Sequence, residues 1–137
     1  MNSAPPKLKE FARRLLAHDA ILGKPVGTKD SKDFRVCEKL RGPLSRLTGF
    51  GGFRSLLSRA LALAGEEVPW VRALHIKADG SLEGLEKLEV KLDSREVAEG
   101  ELVLVSHLLG LLVTFIGPAL TLGLLRDIWP KMNDLEF

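Results

Sequence analysis

Residues 102–125 read LVLVSHLLGLLVTFIGPALTLGLL, and the way this stretch is covered decides the fold. No charged residue interrupts its 24 positions, and 16 of them are Leu, Val, Ile, Phe or Ala. Just upstream, Asp93-Ser94-Arg95-Glu96 has the spacing of a capping box, in which each acidic side chain accepts from the other residue's backbone N–H. A helix over about 96–116 is therefore expected, near 30 Å long at 1.5 Å per residue. Gly117-Pro118 then forces a corner, and a shorter helix runs from Pro118 to Trp129.

A stretch of this length passes the test for crossing a bilayer. Pro118 and three glycines within it argue instead for two helices meeting at a corner. The flanking bases, Lys87, Lys91 and Arg95 on one side and Arg126 and Lys131 on the other, set no orientation. A helix apolar all round is also what amphipathic neighbours need at their centre. Burial inside the fold ranks first, with insertion of 102–125 into a membrane as the alternative. Ser106, Gly110, Thr114, Gly117 and Thr121 recur every three or four positions, a strip along which another backbone can approach closely.

Two other segments supply the amphipathic partners. Between Pro6 and Leu22, Leu8, Phe11, Ala12, Leu15, Leu16 and Leu22 fall on one helical face, with Lys9, Arg13, Arg14 and Asp19 elsewhere. Phe53, Leu56, Leu57, Ala60, Leu61 and Ala64 form a second stripe over about 53–64. Between them, residues 23–32 read as a loop, and Asp30 or Ser31 caps a helix carrying Phe34, Val36, Cys37 and Leu40 inward. Gly42-Pro43 is expected to end that helix, and a short helical piece follows at 43–47. Over residues 73–92 a hairpin turned at Asp79-Gly80 competes with a helix capped by Ser81. The fold expected is mainly α, a compact bundle of five or six helices around the buried helix at 96–116, with one small β-hairpin near 73–92. Residues 1–130 are read as one domain and 131–137 as a tail, which suits 137 residues.

The net charge of +2 conceals a division. Residues 1–60 hold 13 Lys and Arg against 5 Asp and Glu, and residues 61–137 hold 7 against 13. The halves are expected to pack together and neutralise one another. One cysteine, Cys37, excludes an internal disulfide and any multi-cysteine metal site. The N-terminus lacks the apolar run of a secretory signal, so the cytoplasm is the expected location.

Chemistry is harder to find. Gly49, Gly51 and Gly52 in TGFGGF precede a helix, as in an anion-cradling loop, and Arg41, Arg46, Gly51, Gly52, Arg54 and Arg59 are the candidate anion-binding set. Neither nucleotide fingerprint is met, so a tight turn anchored by Phe50 and Phe53 ranks ahead. His18, His75 and His107 are isolated in sequence, no metal set can be assembled, and no serine has an adjacent base. No catalytic residue, cofactor or small-molecule ligand is therefore assigned. The function expected is a non-enzymatic interaction or regulatory subunit, oligomeric or held by a partner protein. Membrane association is the alternative, and anion or nucleic-acid binding through the basic half, with Arg35 and Lys39 added, is a second alternative.

Overall fold

A computed structural model describes residues 6–22 and 34–132. The expected loop at 23–32, its capping residues Asp30 and Ser31, and the tail beyond Met132 lie outside the described residues. Among the described residues four helices carry the fold: α1 (Pro6–Leu22), α2 (Arg35–Glu67), α3 (Ser94–Ile116) and α4 (Pro118–Ile128). A 3-10 turn (Pro69–Ala73) and a two-stranded hairpin, β1 (His75–Ile76) with β2 (Leu82–Glu83), join α2 to a single helical turn, Leu85–Glu89. The chain is mainly helical, and the described residues hold four helices in place of five or six.

The difference in number lies in α2. Pro43 does not end the helix but sits inside it. Its ring removes one hydrogen bond and crowds the preceding turn, at a cost of about 3 kcal/mol. Leu40 and Leu44, one turn apart, are both fully buried, and each stabilises by about 1.5–3 kcal/mol. Continuing the helix through the proline keeps both of them inside. The break comes at Gly49, inside the turn expected at TGFGGF, and its φ of +82° and ψ of 159° are open to glycine. The bend is sharp: Arg41 from the first arm and Phe53 from the second both approach Gly80 at the hairpin tip.

α3 packs chiefly on α2 and α1. Its buried residues include Val103 to Leu109 without a gap, and Leu112 one turn on. They meet Leu8, Phe11, Ala12 and Leu15 of α1 and the α2 stripe of Phe53, Leu57, Ala60, Leu61 and Ala64 in one core. The capping box is present in full, with Glu96 N–H donating to Asp93 Oδ1 at 2.8 Å and Asp93 N–H to Glu96 Oε1 at 3.0 Å. Gly117, at φ +90°, makes the corner, and Pro118 opens α4.

The hairpin is antiparallel, pairing His75 with Glu83 and Ile76 with Leu82. It closes tightly on the Asp79-Gly80 turn, because Gly84 takes a left-handed conformation and starts the helical turn at Leu85. Ser81 donates to Asp79 Oδ1 through its N–H (2.9 Å) and its hydroxyl (2.6 Å), and these bonds hold the Asp79 carboxyl below its ordinary range.

Candidate docking surface

The two bends, at Gly49 and at Gly117, bring apolar side chains to the surface. Leu47 is 54% exposed and Phe50 61% on α2, and beside the corner Phe115 is 66% and Leu120 65% exposed. Phe50 was expected to anchor the core with Phe53. Only Phe53 is buried, under the hairpin tip, because the bend turns the preceding residues outward. Between α2 and the end of α3 lies a groove of about 470 Å³. Leu47, Leu56, Phe115 and Ile116 supply its apolar wall, Thr48, Ser55 and Arg59 its polar edge, and Gly52 adds no side chain.

No carboxylate lines this groove. None occurs in the sequence between Glu38 and Glu66, or between Glu101 and Asp127. A shallower depression of about 610 Å³ adjoins it, shares Ser55 and Arg59, and adds Gly51, Arg54, Ser58 and Ala62. The structure thus brings Gly51, Arg54 and Arg59 together and sets Gly52 in the neighbouring groove. Gly51 and Gly52 belong to a helix rather than to a cradling loop. Arg46 reaches back towards Gly42. Arg41 is engaged elsewhere, pairing with Glu38 Oε1 at 3.0 Å and lying 3.9 Å from Asp79 Oδ2.

The small-residue strip divides as well. Gly110 faces α1, where an added Cβ would lie 3.4 Å from Leu8 Cδ1. Ser106 and Thr121 are buried, Thr114 is exposed, and Gly117 has open space beside it. Each hydroxyl donates to the carbonyl one turn back, Ser106 to Leu102 (2.7 Å), Thr114 to Gly110 (3.0 Å) and Thr121 to Gly117 (2.8 Å). These side chains ask nothing polar of a neighbour, which lets them lie against apolar surface.

The remaining polar groups are mostly spent on structure. The spacing sets Asp19 apart from the apolar stripe of α1, yet it is only 2% exposed. It follows Leu15 by one turn and so continues the buried face. Its carboxylate accepts from Trp129 Nε1 at 3.0 Å and is paired with Lys39 and with Arg35 Nε at 3.6 Å. His107 has no polar partner along its own helix, but Glu67 Oε2 of α2 is 2.6 Å from its Nε2, and Lys9 lies 3.7 Å from the other carboxylate oxygen. Burial and the charge of Asp19 shape a third group. The Glu101 carboxyl is pushed up to about 7, first by burial and then by Asp19, against an N–H bond from Val36 and the charge of Arg35. Cys37 beside it is buried, and burial, Glu101 and Glu38 raise its thiol.

Neutralisation between the two halves of the chain is partial. Lys9–Glu67 and Arg41–Asp79 join them, whereas Arg13–Glu10, Arg35–Asp19, Lys39–Asp19 and Arg41–Glu38 lie within the basic half. Arg46, Arg54 and Arg59 make no ion pair among the described residues. No three His, Cys, Asp or Glu side chains among the described residues gather to hold a metal ion. The exposed Leu47, Phe50, Phe115 and Leu120 were not singled out by patterning. Their signal in the sequence is proximity to Gly49 and to Gly117-Pro118, where a helix must turn and cannot stay covered. The chain matches no known protein family, no curated protein and no solved structure.

Proposed function

We propose that the chain is a non-enzymatic interaction subunit that holds a partner protein, or a second copy of itself, in the groove between α2 and α3. The observation behind this is the exposed Leu47 and Phe115 that line the groove, with Phe50 and Leu120 exposed beside the same two bends. Contiguous exposed apolar surface costs solubility and marks a contact site when it is concave and edged by polar groups. On this reading the chain works in the cytoplasm as a small regulatory subunit, and its effect on the partner is made by contact.

The test is binding of an environment-sensitive hydrophobic dye, combined with size exclusion and light scattering. The wild-type chain is expected to bind the dye at the groove and to lose that signal in Phe115→Asp. A strict monomer that binds no dye refutes the proposal.

A second reading has one specific observation behind it. α3 is long and apolar enough to cross a membrane, and only half of its apolar window is buried within the fold. Insertion of 102–125 into a bilayer is then the alternative, and full recovery of the chain without detergent removes it.

A further inference from the structure

The geometry points to an acidic amphipathic helix of a different protein as the occupant of the groove; the inference rests on the docking function just proposed and adds the chemistry of the partner.

Charge supplies the first argument. Arg59 on the groove edge and Arg54 beside it are exposed and make no ion pair among the described residues. Neither segment that builds the groove carries a carboxylate, since residues 39–65 and 102–126 contain no Asp or Glu. A partner that desolvates this edge must bring negative charge or leave two guanidinium groups uncompensated. Acidic residues flanking its apolar stripe meet that need.

Shape supplies the second. The apolar surface is a concave space of about 470 Å³ between two helices, with Leu47 and Phe115 facing it from α2 and α3. A helix laid into such a groove fills it with side chains spaced three and four residues apart. A lipid surface is locally flat and leaves a concavity unfilled.

Symmetry supplies the third. A two-fold dimer through this face would cover Arg54 and Arg59 with this same patch, which carries positive charge and no carboxylate to pair with them, because an isologous interface repeats one patch. Like charges on the edge oppose that pairing. A separate protein avoids the repulsion.

The experiment is selection from a displayed library of helix-forming peptides. Leu or Phe is fixed at positions i, i+3, i+4 and i+7, and the flanking positions are free to be Glu, Lys or Gln. The full chain is used as bait, in parallel with the variants Phe115→Ser and Arg54→Glu/Arg59→Glu, whose sites are exposed and whose folding is checked by circular dichroism. The wild-type chain is expected to enrich Glu over Lys at the flanks by about tenfold, as two exposed ion pairs allow. The charge-reversed variant is expected to invert that preference, and Phe115→Ser to abolish selection. Apolar peptides enriched without a charge preference, or with Lys favoured, overturn the acidic partner and leave the docking function standing. No enrichment of any peptide overturns the docking function itself. Selection unchanged by either variant overturns this location. Binding to phosphatidylserine–phosphatidylcholine vesicles or to duplex DNA, with no peptide selected, assigns the surface to a bilayer or a nucleic acid and refutes the proposal.

Discussion

Glu101 lies where α3 passes the first turn of α2, and its replacement by glutamine separates the effect of charge there from the effect of shape. One carboxylate oxygen, Oε2, is buried with no hydrogen-bond partner, and the group accepts from the N–H of Val36. Burial, aided by the negative charge of Asp19, raises its pKa from an ordinary 4.5 to about 7. The folded state therefore holds this proton more tightly than the unfolded chain. Stability is greatest below pH 4.5, falls as the pH climbs through the interval between 4.5 and 7, and carries the whole penalty above about 7. At about 1.4 kcal/mol per pH unit, that penalty is about 2–3 kcal/mol once residual solvent contact is allowed for. Gln has nearly the helix propensity of Glu and keeps an acceptor for Val36, but its amide N–H₂ meets the site of the unpartnered oxygen. That second effect is the same at every pH. Urea unfolding of the wild-type chain and Glu101→Gln at pH 5 and pH 8 isolates the charge. The stability difference is expected to move by about 2 kcal/mol in favour of Gln on going to pH 8, because part of the penalty is already present at pH 5. A difference that shifts by less than about 0.5 kcal/mol, near the error of the extrapolation, refutes the buried-charge account.

Gly100→Ala is expected to destabilise by about 1–3 kcal/mol despite alanine's better helix propensity, because overpacking a buried site displaces its neighbours. The added Cβ would lie 2.3 Å from Cζ2 of Trp70, and a raised thermal midpoint in the variant contradicts this close approach. Trp129→Phe removes the donor to Asp19 and is expected to cost about 1–2 kcal/mol by urea unfolding, at the low end because Lys39 and Arg35 still pair with that carboxylate. Cys37 is expected to resist maleimide in the folded chain and to label at the rate of unfolding, since burial both covers the thiol and raises its pKa. Rapid labelling under native conditions rules that out.

What was legible in the sequence is what acts within a turn or two of the chain. Asp93 and Glu96 cap α3 because they are three residues apart, Gly117-Pro118 makes the corner by its own backbone geometry, and the stripes of α1 and of residues 53–64 follow from helical spacing. Asp19 was set off the apolar face, although its place one turn after Leu15 made its burial legible too. Its partner was not: Trp129 lies 110 residues away, as Glu67 lies 40 from His107. The choice of Gly49 over Pro43 as the bend depended on the burial of Leu40 and Leu44, a tertiary quantity set against a local one. The groove depended on it in turn. Leu47, Phe50 and Phe115 are as hydrophobic as their buried neighbours, and closeness to a bend does not by itself say which side chains stay uncovered. The sequence by itself determined where helices begin and turn and which faces are apolar. Only the tertiary structure decided which apolar side chains are left over, because burial is shared among all the helices and runs out where two of them bend away.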